Sequence, residues 1–358
     1  MKSIPPDFPI YQPQPARKIP KLSQELGWGL EIVFLAYVCF LLLMGQTPAW
    51  KSLVDNISIN FLAVIVEALP FMLIGSLAGG LIEVFIPVTL IDKLFRQKPI
   101  RAIFLAGGLG LLIPVCECAI VPVVRRLLAK GVPFTAAITF LLAGPIVNVI
   151  VAWSTAIAYS YNWLVVFIRL GSGYIIAVTV GMLLGLFFNH KNGIHQSLIE
   201  SSQVLCGCGH DHASDHKKPL MTRLRHAMEH ASDDFFAVGR YLIIGGFIAA
   251  TMRSSVSLDS FTTLTESPWL AILIMMLMAI VLNLCSEADA FISASFRGLL
   301  PDSAQMAFMV LGPMFDIKLL LMYLSVFRKR VIIVLSLTIL ITVFLAMMAL
   351  EIFLPVFM

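Results

Sequence analysis

The chain has 358 residues, of which 59% are hydrophobic and 13% charged, with a formal net charge of +4 and a mean hydropathy of +0.92. A soluble domain carries about 25% charged residues, so this composition describes a polytopic membrane protein and excludes a soluble enzyme. The small positive charge falls in loops and tails, which excludes nucleic acid as a partner.

Residues 1–29 are Pro-rich and mildly basic (Lys2, Arg17, Lys18, Lys21) and lack the apolar core of a signal peptide. They read as a disordered cytoplasmic tail. A membrane helix needs about 20 apolar residues. Segments of that kind lie near 30–46, 57–86, 102–124, 132–158, 163–188, 234–253, 269–296, 303–327 and 331–357. The organisation expected is an extra N-terminal membrane helix (30–50), a first permease repeat (55–188), a polar loop (189–233) and a second repeat (234–358). Cys39, in the first helix, reads as a packing residue.

The two halves echo each other in order. Pro70-Phe-Met-Leu-Ile-Gly75 matches Arg240-Tyr-Leu-Ile-Ile-Gly245 by spacing. Pro114-Val-Cys-Glu-Cys-Ala-Ile120 has a counterpart in Leu284-Cys-Ser-Glu-Ala-Asp-Ala290. Phe140-Leu-Leu-Ala-Gly-Pro-Ile-Val-Asn148 matches Phe308-Met-Val-Leu-Gly-Pro-Met-Phe-Asp316. An all-α membrane protein of two duplicated repeats follows. If 102–124 and 269–296 are broken or re-entrant, the basic clusters 92–101, 125–130 and 328–330 all face the cytoplasm with the 189–233 loop, as the positive-inside tendency asks. The repeats are then inverted, with seven full spans and two broken elements; nine full spans is the alternative. Pro114 and Pro122 each remove a helix donor and favour the break.

Thiols and acids at apolar depth are functional candidates. Cys116 and Cys118 point apart on a regular helix but share a side of an extended strand, so together they grip an ion only where the helix is unwound. Cys285 supplies a third sulfur from the other half. Three thiolates suit Cu(I), Zn(II) or a trivalent arsenical and disfavour Mg and Ca; inert buried cysteines are the competing reading. Glu117, Glu287 and Asp289 either ligate a divalent ion such as Zn or carry protons, and Glu67 joins them as a weaker candidate. Gly144-Pro145 before Asn148, and Gly312-Pro313 before Asp316, break helices; the freed carbonyls bind a cation or shape a cavity, or the prolines serve packing alone. Lys318 is a charge partner for Asp316. Met275, Met276, Met278, Met306, Met309 and Met314 read mainly as gap-fillers. Arg169 and Arg240, near helix ends, are expected to snorkel to the interface.

All seven histidines lie between 190 and 230. Cys206, Cys208, His210, His212 and His216 mix thiolate and imidazole donors with glycines between them, which reads as an adaptable metal-binding loop. His226 and His230 share a face if 220–233 is an amphipathic surface helix.

Pro-x-Cys-x-Cys with a downstream Phe-Leu-x-x-Gly-Pro-x-x-Asn, then Cys-Ser-Glu-Ala-Asp-Ala-Phe with Gly-Pro-x-x-Asp-x-Lys, resembles the predicted permeases of the ArsP/YraQ type over about residues 55–357. That family includes efflux permeases for trivalent organoarsenicals, and the Cys/His-rich loop is similar to a branch described as copper/zinc efflux transporters. The resemblance implies a transporter rather than an enzyme, with Cys116, Cys118 and Cys285 as translocation-site thiols. The expected substrate set is Cys116, Glu117, Cys118, Asn148, Cys285, Glu287, Asp289 and Asp316. The expected function is export of Cu or Zn across a bacterial inner membrane, to a periplasmic acceptor, with no resident cofactor. Oligomeric state is open. Export of arsenite or organoarsenicals is the alternative within this architecture. A membrane thiol oxidoreductase is the alternative of another class, although redox relays use Cys-x-x-Cys, absent here.

Overall fold

The computed structural model describes residues 39, 48–85, 99–112, 115–188, 193, 220–255 and 267–357. Met44–Met358 form one compact unit and Met1–Leu43 another. In the smaller unit Cys39 is exposed, not packed as expected. The tail 1–29, most of segment 30–50 and the donors Cys206, Cys208, His210, His212 and His216 lie outside the described residues.

Among the described residues the larger unit has twelve helices: α1 (Pro48–Phe85), α2 (Pro99–Leu112), α3 (Glu117–Ala129), α4 (Phe134–Ala143), α5 (Val149–Ala158), α6 (Trp163–Phe187), α7 (Leu220–Ser255), α8 (Pro268–Leu282), α9 (Ser286–Ala294), α10 (Asp302–Leu311), α11 (Ile317–Tyr323) and α12 (Lys329–Phe357). Among the described residues, four helices are long and apolar enough to cross a membrane, with spans Val54–Leu81, Trp163–Phe187, Ala227–Ser254 and Lys329–Phe353. Helix α6 shows why lipid is the solvent. Val166, Arg169, Gly173, Ile176, Val180 and Leu184 face inward at helical spacing, and the outer face carries exposed Phe167, Ile175, Leu186 and Phe187. An outer face that apolar is stable only against acyl chains.

The other elements are interrupted. The expected breaks at 102–124 and 269–296 are present, as α2/α3 and α8/α9. Segments 132–158 and 303–327, counted among the full spans, are divided too, as α4/α5 and α10/α11, at the Gly-Pro pairs read as helix breakers. The cause is Gly-Pro. Pro145 and Pro313 have no N–H to continue the ladder, and the next helix is started afresh by a capping side chain. Asn148 accepts from the Val151 amide at 2.8 Å, and Asp316 accepts from the Leu319 amide at 2.5 Å. The two caps share one backbone shape, φ −138° ψ 160° and φ −138° ψ 177°. The turns α3–α4 and α9–α10 match as well, each with a left-handed glycine, Gly131 (φ 89°) and Gly298 (φ 76°). Asn148→Ala is expected to cost about 1 kcal/mol, the usual worth of an N-cap. Thermal unfolding in detergent should show a small downward shift with the site's reactivity intact.

Helices α4 and α10 form the core. α4 packs on α2, α3 and α6, and α10 on α8, α9 and α12. Both are buried on nearly every face. The methionines expected as gap-fillers belong here: Met275, Met276, Met278, Met306, Met309 and Met314 are all buried. α1 and α7 pack along each other and cover α3 and α11. Asp234 of α7 pairs with Arg125 at 3.3 Å and with Arg126, tying down the end of α3. The loop expected to reach residue 233 gives way to helix at Leu220. The first turns of α7 are polar yet helical, supported by an Arg225–Glu229 pair at 3.1 Å one turn apart.

Candidate translocation site

Two short helices begin at the same cavity. Cys116 is the N-cap of α3 (φ −75°, ψ 168°) and Cys285 the N-cap of α9 (φ −75°, ψ 157°). The approach to α9 is turned by Asn283, held in the left-handed conformation (φ 49°, ψ 53°) that asparagine tolerates. The extended backbone expected across Cys116–Cys118 reaches only Cys116; Cys118 already lies in the first turn of α3. Both still reach the cavity, because the first residues of a helix surround its open end.

The cavity, about 20 Å³, is lined by Cys116, Glu117 and Cys118 from α3, Asn283, Cys285 and Glu287 around the start of α9, Lys318 of α11, and Val64, Glu67, Ala68 and Phe71 of α1. That volume admits a water molecule or a bare ion. Glu67 and Phe71 are exposed, so the cavity meets the protein surface along α1. Cys285 lies within hydrogen-bonding reach of the Glu67 and Glu287 carboxyls. The cysteines Cys116, Cys118 and Cys285 are free thiols. Two helix N-termini meeting at one point favour negative charge there, and the side chains supplied are acids and thiols. Among the described residues no three His, Cys, Asp or Glu side chains converge closely enough to hold a metal ion.

Charge compensation crosses between the halves. Lys318 Nζ lies 3.3 Å from Glu117 Oε1 and 3.7 Å from Asp316 Oδ2. The second Glu117 oxygen, Oε2, is buried without a hydrogen-bond partner. Asp316 caps α11 from behind the cavity wall, and the Asn283 amide faces its carboxylate. Arg169 does not snorkel as expected. It is fully buried and donates to the Ser286 carbonyl and the Thr155 hydroxyl at 2.7 Å and to the Met309 carbonyl at 3.2 Å. Asp289, its principal charge neighbour, is buried and leaves Oδ2 unpartnered. Arg240 is exposed and stacks over Tyr241 at 4.9 Å, as a snorkelling arginine does.

Five of the eight expected substrate residues thus surround one cavity: Cys116, Glu117, Cys118, Cys285 and Glu287. Asp316 stands behind its wall, whereas Asn148 caps α5 and Asp289 faces Arg169. Glu67, the weaker candidate, also lies in the lining. Sequence reasoning missed Asn283, whose signal was an asparagine immediately before a cysteine-bearing break, and assigned Lys318 to Asp316 alone.

Residues 54–352 match a family model described as "Predicted permease", ArsP type. The chain belongs to the ArsP-type permease family. Two curated relatives align with this permease over 270 residues. One, from Streptococcus mutans, is named "Putative two-component membrane permease complex subunit"; it is 40% identical, over 75% of this chain and 86% of its own. The other, UPF0718 protein YcgR of Bacillus subtilis, is 38% identical over 75% of this chain and 88% of its own. No solved structure matches the permease. The site of this multi-pass permease therefore lies in the part of the chain that the family model spans.

Proposed function

We propose that this permease exports a soft or borderline metal ion, Cu or Zn, through the cavity between α3 and α9. The observation that carries the reading is that Cys116, Cys118 and Cys285, from two distant breaks, line one cavity with three carboxylates. Thiolates select soft ions over Mg and Ca, and Zn also accepts carboxylate oxygens. Half-helices that end near the middle of a bundle are how transporters build such sites.

The proposal includes a duplication, α1–α6 repeated as α7–α12 with inverted topology. It rests on the paired caps Cys116/Cys285 and Asn148/Asp316, the turns Gly131/Gly298 and the basic clusters assigned to the cytoplasm. In this scheme Cys206, Cys208, His210, His212 and His216 capture the ion at the cytoplasmic face of a bacterial inner membrane. Glu287, Glu117 or Glu67 then ligates it or exchanges protons, and a periplasmic partner accepts it. Arsenite or a trivalent organoarsenical is the second reading, favoured by Lys318 in the cavity wall, since a neutral cargo does not meet its repulsion.

The test is growth of a metal-sensitive bacterial host carrying the permease on Cu, Zn, arsenite and methylarsenite. Resistance to Cu or Zn is expected, and Cys116→Ser or Cys285→Ser should return growth to that of the empty host at unchanged membrane abundance. Resistance to the arsenicals alone would transfer the cargo to the second reading. Full resistance in both serine variants would refute a thiol site.

A further inference from the structure

Among the described residues, Lys318 is the one cation in a cavity otherwise lined by acids, thiols, an amide and apolar groups. It is 3% exposed, and its ammonium stands between two carboxylates, at 3.3 Å from Glu117 and 3.7 Å from Asp316. The two acids differ in what else they do. Asp316 uses Oδ1 to cap α11 and presents Oδ2 to Lys318, so it is fixed in place. Glu117 has no such duty, and its Oε2 is buried, unpartnered and part of a cavity-lining side chain. A buried carboxylate oxygen without a donor is costly, and here it lies beside three thiols.

A cation entering the cavity meets Lys318 as a like charge. At a few ångströms and low dielectric that repulsion is strong enough to oppose entry. Entry is favourable only if the ammonium moves off Glu117, and Asp316 Oδ2 already stands ready to receive it. A neutral cargo held by sulfur alone needs no such movement.

We propose that Lys318 is a tethered counter-ion that competes with cationic cargo for Glu117, resting on Glu117 between transport events and shifting to Asp316 when cargo binds. Glu117 is thereby neutralised in both states, by the ammonium when the cavity is empty and by the cargo when it is loaded, and the charge of the cargo, not only its affinity for sulfur, becomes a criterion for entry. Helix α7 sets its position: a Cβ on Gly245 would fall 2.9 Å from the Lys318 Cα. This inference rests on the cargo reading above and assigns the residue that discriminates between its two branches.

The test uses the purified full-length permease in detergent, with two probes: ZnCl2 and phenylarsine oxide, a neutral thiol-binding arsenical. The readout is protection of Cys116 from alkylation by N-ethylmaleimide, followed by mass spectrometry of its peptide, which ignores metal bound elsewhere. In Lys318→Met the Zn(II) concentration giving half-protection should fall about tenfold, the effect of about one charge interaction. In Lys318→Arg it should stay near wild type, and the arsenical should protect all three proteins alike. If Lys318→Met does not elute as a folded species, the charge-balanced Lys318→Met/Asp316→Asn replaces it, since Asn148 caps α5 in the same geometry. Equal Zn(II) protection of the wild type and the methionine variant would overturn the counter-ion. Protection of the wild type by the arsenical but not by Zn(II) would overturn it too, leaving the thiol site standing. Protection by neither would sink the cargo reading with it.

Discussion

Arg169→Leu is expected to remove most of the folded permease from the membrane. The guanidinium is fully buried, and its three hydrogen bonds fasten α6 to α5, to the first turn of α9 and to α10. Leucine would leave the Ser286 and Met309 carbonyls without this donor and Asp289 without its principal counter-charge. Arg169 and Asp289 are charge neighbours without a direct hydrogen bond, and leaving such a buried charge uncompensated costs up to about 3–5 kcal/mol, a large part of the stability of an ordinary domain. Replacing both members with apolar groups is far milder. The proposed duplication offers an apolar version: counted from the helix starts, Leu335 in α12 would match Arg169 in α6, and Ile120 in α3 would match Asp289 in α9; both are buried. Arg169→Leu/Asp289→Ile should therefore accumulate well above Arg169→Leu. Membrane abundance and thermal unfolding by fluorescence-detected gel filtration measure both. A double variant as depleted as the single would mean that the hydrogen bonds to the carbonyls, not the uncompensated charge, carry the loss.

Gly75→Val should leave a folded protein with a displaced site. A Cβ on Gly75 would fall 2.6 Å from the Cα, Cβ and carbonyl oxygen of Ala119. These are backbone or backbone-attached atoms, so no rotamer change relieves the contact and helix α3 must move. Ala119 is one residue from Cys118 and three from Cys116, and the shift is delivered directly to the cavity. Overpacking of this kind costs about 1–3 kcal/mol. Metal resistance in the host is expected to fall to background while abundance falls only modestly. Gly108 and Gly171 are the controls, since a Cβ on either meets nothing within 4 Å; valine there should be silent. Unchanged resistance in Gly75→Val would show that α1 can yield without disturbing α3.

The breaks and thiols were legible because they violate a simple pattern. A cysteine, an acid or a Gly-Pro pair inside an apolar run stands out, and Cys116, Cys118, Glu117, Cys285 and Glu287 do meet at one cavity. Position along a helix was a poorer guide. Arg169 lies six residues into α6, which suggested the interface, but its direction is decided by which helices pack on that face, and they enclose it. Lys318 was assigned to its chain neighbour Asp316, whereas the shorter approach is to Glu117, 201 residues away. Over 220–233, placed within the loop but also read as a surface helix, the chain is helical; a helix projecting from an apolar span needs no apolar face of its own while pairs such as Arg225–Glu229 support it. The doubled interruptions at Gly144 and Gly312 were visible as motifs, but only the capping bonds of Asn148 and Asp316 reveal that each ends one helix and begins another.

Among the described residues, the two buried cations are traded between the halves. Lys318, from the second, neutralises Glu117 in the first, and Arg169, from the first, faces Asp289 in the second. In the duplicated chain proposed here, neither copy retains a self-sufficient set of charges: Ile150 and Leu335 occupy the positions where each would need its own cation. Drift in the two copies is consequently yoked. A change at 117 is judged through 318 and a change at 289 through 169, so the two halves evolve as one unit. If they arose by the proposed duplication, a return to two identical chains would require rebuilding both charge sets at once.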